Sequence, residues 1–465
     1  MIGVKYEDWF GDKRIDERGN ELHSRLLRSA TRSIQAMADN RAEQKAFYRF
    51  LHNDKTTEKK LIAELTRRCQ KLSKGKVVLS IQDTSEINLS AHAGRIDTGS
   101  GVGGIDDSLG GIGFKIHPSF VVDAMTCFPI GFSDIRIWNR EEGMANKYKR
   151  DYNKLPIEEK ESYKWIAGSG DSKEVLSQAR AVIIVQDREG DIFEQFAQVP
   201  DAQTFLLIRS RFNRSIDRNE KLWDALSKAT VLGQYQLELS GDSQRKEPAR
   251  TATIEVRCVE VQLQCPEHDK RNRSKTVTAY GIEAKEINSG AKDPVHWRLV
   301  TTWPVNSYAD ALQVIEWYSW RWLVEEVFRM LKKEGFNIEA SEMESGWAIR
   351  KLTVMMLDVI VKLMQMHIAY NCPEGESPET TMVFTEKEQE CLAAMNKKVE
   401  GKTKSLQNPY TPSQLKWAVW IIARIGGWKG YASQRPPGMT TLFKGLEKFY
   451  LTFDGWSLQK DVGTR

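Results

Sequence analysis

Val77-Val78-Leu79-Ser80-Ile81-Gln82-Asp83 is a short apolar run closed by a glutamine and an aspartate, and the pattern returns at Val182-Ile183-Ile184-Val185-Gln186-Asp187. Runs of this length, rich in β-branched residues and bounded by polar ones, read as buried strands, and each ends in a carboxylate. In open α/β sheets the carboxyl ends of the strands form the ligand-binding edge, where two aspartates on adjacent strands can share a divalent cation. A single strand-end aspartate is more often only a turn or helix cap. Two matching ones weaken that reading without removing it.

Outward from these strands the periodicity stays α/β. Between them lie strand-like segments near Phe114 to Val122 and Phe128 to Trp138, preceded by a glycine-rich stretch from Gly94 to Gly113. That stretch does not pass from a strand directly into an amphipathic helix, so a dinucleotide-binding reading fails and a mobile loop is expected. Helices are expected over Lys173 to Ala179 and Asp191 to Ala197, with a third strand at Phe205 to Ile208. From about 234 to 305 the pattern is purely strand-like, as in Thr251 to Val261 and Lys275 to Ile282, which implies a β-rich insertion within the core. A long helix resumes near Tyr308.

Both ends of the chain read as helical. Leu22, Leu26, Leu27, Ala30, Ile34 and Met37 recur at helical spacing over Glu21 to Met37, Asn40 can cap a second helix through Phe50, and a third should follow Thr57. This gives a helical, basic-faced module over 1–72, suited to DNA binding or to a structural cap. The α/β core then spans 73–350. Residues 351–465 again read helical, with Leu352, Met355, Met356, Val359, Ile360 and Leu363 on one face, and are assigned to docking or dimerisation.

A third carboxylate comes from the helix near Tyr308. On one ideal helix Tyr318, Arg321, Glu325 and Lys332 fall within a sector of roughly 60°, beside an apolar sector of Trp317, Trp320, Val324, Phe328 and Leu331. The plainer reading is an exposed face with an Arg–Glu pair four residues apart. The company of Asp83 and Asp187 favours function. Such a trio can hold two Mg²⁺ about 3.5–4 Å apart for an in-line phosphoryl displacement, while Tyr, Arg and Lys contact phosphates. All-oxygen ligands favour Mg²⁺, with Mn²⁺ a substitute. Arg209, Arg211, Phe212 and Arg214 form another cluster of basic and aromatic residues.

Composition narrows the alternatives. The net charge of +5, from 68 basic and 63 acidic residues, does not by itself announce nucleic acid. Six scattered cysteines lack disulfide or zinc spacing; Cys258, Cys265 and His268 offer no fourth ligand. The absence of a membrane-length apolar run and of a secretory leader predicts a soluble cytoplasmic protein, and no GxxxxGK[ST] motif suggests a nucleotide cofactor. A glycoside hydrolase would also use paired carboxylates, with the 14 tryptophans as sugar platforms. No eightfold βα repeat supports it, and basic residues flank the third acid.

Ile81-Gln82-Asp83-Thr84, Asp187-Arg188-Glu189 and Tyr318-x-x-Arg321-x-x-x-Glu325 with Lys332 resemble the motifs of bacterial insertion-sequence DDE transposases with the Tyr-Arg-Glu-Lys signature, the IS-four family. The likeness runs from Gly11-Asp12-Lys13-Arg14 to Ile422-Ala423-Arg424-Ile425-Gly426-Gly427. It implies a ribonuclease-H-like core with a β-strand insertion, an N-terminal domain that recognises transposon ends and a C-terminal dimerisation domain. It further implies an enzyme of the bacterial nucleoid that cuts and joins double-stranded DNA through a hairpin in a synaptic homodimer. Asp83, Asp187 and Glu325 would be its metal-binding catalytic residues, and Tyr318, Arg321 and Lys332 would hold the end backbone. Trp297 would stack on a flipped base, although a tryptophan there is more often a strand core residue. Arg14, Arg18 and Arg209 match basic positions of the family. A regulator that binds DNA without cutting it is the alternative.

Overall fold

The computed structural model describes residues 6–29, 31–97, 99–105, 111–140, 155–217, 220–239, 241, 248–266, 276–373, 376–431 and 434–463. His268, Lys275 and part of the glycine-rich stretch lie outside them.

Four N-terminal helices come first: α1 (Lys13–Arg28), α2 (Ile34–Met37), α3 (Arg41–His52) and α4 (Glu58–Ser73). Asp12, Asn40 and Thr57 each cap a helix by accepting a backbone N–H. The helix expected over Glu21 to Met37 is instead two. The Ser29 hydroxyl turns back onto the Arg25 carbonyl at 3.0 Å, its backbone becomes extended, and Ser33 caps α2.

The strands are β1 (Val77–Gln82), β2 (Ser85–Asn88), β3 (Gly103–Gly104), β4 (Ile112–Asp123), β5 (Pro129–Trp138), β6 (Ala181–Gln186) and β7 (Thr204–Arg209). They are followed by β8 (Val231–Leu239), β9 (Arg250–Gln264), β10 (Thr276–Glu286) and β11 (His296–Thr301). All eleven join one sheet. Its core order is β5-β4-β1-β6-β7, with β4 antiparallel to both neighbours and β1, β6 and β7 mutually parallel. That is the ribonuclease-H-like arrangement. The expected β-rich insertion is present, and β11 pairs antiparallel with β7, so the insertion prolongs the same sheet.

Helices cover both faces. On one lie α5 (Tyr163–Val175), α6 (Phe193–Gln198) and α7 (Leu222–Lys228), with Ile166, Phe193, Phe196 and Leu226 meeting Val182, Ile184, Leu206 and Ile208. The other face, carrying Leu79, Ile81, Ile183 and Val185, meets α8 (Tyr308–Ser319), α9 (Trp322–Arg329) and α10 (Gly346–Asn371). Three further helices complete the chain: α11 (Glu386–Val399), α12 (Leu415–Ile425) and α13 (Met439–Gly463). The helix expected at Lys173 to Ala179 begins ten residues earlier and ends at Val175.

The boundary drawn at 350/351 falls inside α10. This helix is long and apolar enough to cross a membrane by composition, but most of it is buried inside the protein. It packs on α1, α3, α4, β5, α12 and α13, tying both helical ends to the core. Its polar residues have partners: Asp358 binds His23 of α1 at 2.7 Å and Arg68 of α4, and Arg350 binds Glu58. Arg350 also donates to the Gly101 carbonyl, and β3 pairs with β4, so the described part of the glycine-rich stretch is anchored.

Candidate active site

Asp83 and Asp187 follow β1 and β6 directly. The strands are parallel neighbours with Ile81 opposite Val185, so the two carboxylates emerge side by side. Alternation along each strand puts both on the face of Leu79 and Ile81, toward α8 and α9. Asp83 accepts the Thr84 N–H at 2.7 Å, and Asp187 caps the 3-10 turn Arg188–Gly190.

Glu325 comes from α9. The single long helix expected here breaks between α8 and α9: the Ser319 hydroxyl bonds the Glu316 carbonyl at 2.6 Å, and the bonds Arg321 N to Tyr318 O and Val324 N to Arg321 O tighten the chain to 3-10 spacing. Met330–Glu334 then widens to a π-helix. Tyr318, Arg321, Glu325 and Lys332 therefore do not form one row on an ideal helix. They still gather at the same end of the sheet, with Arg321 turned toward Asp83 and Lys332 toward Ser85.

Arg321 donates to Asp83 Oδ2 at 3.1 Å and to Glu325 Oε1 at 2.5 Å. Burial pushes the Asp83 carboxyl up to about 6, against the Thr84 N–H and Arg321, and the charges of Asp187 and Glu325 add to the rise. Three oxygen-donor carboxylates within electrostatic reach of one another suit a hard divalent cation. Among the described residues, however, no three acidic, histidine or cysteine side chains stand ready to hold a metal ion. The Arg321 guanidinium between Asp83 and Glu325 already supplies a positive charge where a cation would sit.

The remaining expected residues divide into two groups. Tyr318 is buried, stands edge-on to Trp297 with centroids 5.4 Å apart, and has its hydroxyl pushed up by burial and by Asp187, against Arg321 and Arg209. Trp297 lines a cleft of about 470 Å³ with Tyr235, Leu237 and Gln313. Lys332 reaches Ser85 and Glu339, each at 3.4 Å, and Arg209 lies at the end of β7. Arg211 sits on a loop fixed by Asp191, which accepts the Arg211 and Phe212 N–H groups and pairs with buried Arg214. Arg14 and Arg18 belong to α1, where Arg18 pairs with Glu21 at 2.5 Å and lies over the Phe47 ring.

Sequence reading missed Lys164 on α5, whose ammonium is held below its usual range by burial even though Glu189, Glu161 and Asp83 oppose the shift. It missed Gln82, Gln186 and His117 as well. Only the repeated Gln-Asp ending of the two strands could have drawn attention to the glutamines.

The ribonuclease-H-like sheet thus carries acidic side chains at adjacent strand ends. Residues 8–56 match the family model described as transposase DNA-binding, and residues 135–360 match that of the transposase DDE domain. Both matches are to transposase domains, one for DNA binding and one of the DDE type. Asp187 and Glu325 lie within the second match, whereas Asp83 lies between the two. A cryo-EM structure of the piggyBac transposase synaptic complex with hairpin DNA overlays 98% of this chain and 75% of its own, at a TM-score of 0.36 and 9% identity, too loosely to carry an argument.

Proposed function

We propose that the chain is a cut-and-paste insertion-sequence transposase that binds terminal repeats, cleaves them through a hairpin and joins the 3′-hydroxyl ends to target DNA. The convergence of Asp83, Asp187 and Glu325 carries this reading. Two divalent cations held there, Mg²⁺ or Mn²⁺, would activate the attacking water or hydroxyl and stabilise the leaving oxygen. The protein's own groups do the holding. Tyr318, Arg321, Lys332 and Arg209 grip the end backbone, Arg211 extends that basic rim, and an incoming phosphate draws Arg321 off the carboxylates. The face and cleft at Trp297 suit a base turned out of the stack during hairpin formation.

Residues 1–72 then form the end-binding domain, with Arg14 and Arg18 on its DNA face, 73–350 the catalytic domain and 351–465 the dimerisation domain. A homodimer is supported by Leu451 and Leu458, exposed at 67% and 66% two turns apart on α13. The bacterial nucleoid in the cytoplasm is the place of action.

Incubation of the protein with DNA carrying its element's terminal repeats, in Mg²⁺ or EDTA, tests the reading. Metal-dependent nicks, hairpins and joined products are expected; binding without cleavage in both Mg²⁺ and Mn²⁺ would make the protein a regulator. For Arg321→Ala and Lys332→Ala, end binding should weaken, and the slope of log affinity against log salt should fall by about 1 for each lost phosphate contact. An unchanged slope in a binding titration across salt concentrations would remove the phosphate role.

A further inference from the structure

Behind the two aspartates, on the opposite face of the sheet, lies a buried polar layer that the proposed chemistry does not use. Gln82 and Gln186 immediately precede Asp83 and Asp187, so strand alternation sends the amides toward α5 while the carboxylates face α9. Both glutamines are completely buried. Gln186 Nε2 donates to Gln82 Oε1 at 2.7 Å and to Ser169 Oγ at 3.2 Å, and Gln195 Nε2 donates to the same hydroxyl at 3.2 Å. The paired backbone register of β1 and β6 runs to Ile81 and Val185. The amide–amide bond is therefore the next tie between the strands, one residue before the aspartates.

His117 completes the layer. Its Nδ1 lies 2.9 Å from Thr84 Oγ1, on the residue that follows Asp83, and its ring stands edge-on to Trp165. A Cβ at Gly168 would stand 3.3 Å from Gln82 Nε2 and 3.5 Å from His117 Nε2, so α5 packs closely on this layer. Of nine buried side-chain polar atoms without a hydrogen-bond partner among the described residues, five belong to this layer: Gln82 Nε2, His117 Nε2, Ser119 Oγ, Gln186 Oε1 and Gln195 Oε1. Apolar side chains would fill the space without leaving polar atoms unpaired, so packing does not account for two amides here. Their position directly behind the carboxylates does.

We infer that Gln82 and Gln186 form a clamp that sets the separation of Asp83 and Asp187, and with it the cation affinity of the site, while His117 steadies Asp83 through Thr84. These are positioning residues that touch neither DNA nor metal. The inference rests on the cation-binding reading given above.

The test is Mn²⁺ titration of the full-length protein bound to end DNA, followed by EPR, with the Asp83→Asn complex as baseline for ions held by DNA alone. In Gln82→Met/Gln186→Met both partners become apolar together, so neither amide is left facing an empty site. Its affinity for the Asp83-dependent ions should fall roughly 10-fold or more, with melting temperature and end binding as in the wild type, and cleavage should recover as Mn²⁺ is raised. Ser169→Ala, which removes only the hydroxyl beneath Gln186, is the milder variant and should shift the affinity in the same direction. Wild-type Mn²⁺ affinity in either folded variant would overturn the clamp. Absence of any Asp83-dependent Mn²⁺ signal in the wild type would instead overturn the cation site itself, and the clamp with it.

Discussion

Alanine at Asp83, Asp187 or Glu325 should abolish cleavage of transposon-end DNA, by on the order of 1,000-fold or more, while leaving end binding in place. The first two side chains leave adjacent parallel strands and the third faces them from α9, so in the proposed cation site each would supply its own oxygen ligands. Neighbouring Glu326 is the internal control. Its carboxylate is held by Arg329 through hydrogen bonds at 3.1 and 3.3 Å, rather than by Arg321, so Glu326→Ala should cleave normally. Single-turnover cleavage on a gel, beside a mobility-shift assay, separates the two properties. Cleavage at the wild-type rate by any of the three variants would contradict the assignment.

Asp358→Ala should be strongly destabilising, by about 3–5 kcal/mol, because it strips a buried ion cluster of its acid. Asp358 lies between His23 and Arg68, and Arg68 also holds buried Glu64 at 3.0 Å. Without the aspartate, the guanidinium and imidazole remain in the core underpaired. Burial alone would raise the Asp358 carboxyl, but Arg68 and His23 outweigh it and hold the group well below the usual carboxylate range. A depressed folded-state pKa stabilises the protein above the unfolded value of about 3.9 and loses that contribution as pH falls toward the folded value. Urea unfolding should therefore show a gap between wild type and variant that is constant above about pH 5 and narrows below about pH 4. A gap that narrows toward high pH would contradict the charge assignment.

The strands that lead to Asp83 and Asp187 were legible because they are buried on both faces and so appear as apolar runs, each stopped by its carboxylate. The α5 helix was misplaced for the converse reason. Beside Trp165 and Ile166, its buried positions are Gly168, Ser169 and Ser172, which meet a polar layer and leave little hydrophobic stripe to read. Tyr318, Arg321, Glu325 and Lys332 were grouped by motif on a uniform helix, and that helix breaks at Ser319. No linear pattern foretells that Arg321 would bridge two acids. Within the stretch that read as helical, α13 had no bounds of its own, partly because of its glycines. A Cβ at Gly445 would stand 2.0 Å from the Ile422 carbonyl, so a residue that reads as a breaker is instead where two helix backbones touch.

The pairing of β11 with β7 has a mechanical meaning. Trp297 on β11 and Asp187 at the end of β6 belong to one unbroken hydrogen-bonded lattice, two strand junctions apart. The Trp297 ring and the strand-end acids are thus fixed on a single bench. In the proposed cut-and-paste reaction, it would be the nucleic-acid workpiece that is repositioned between steps.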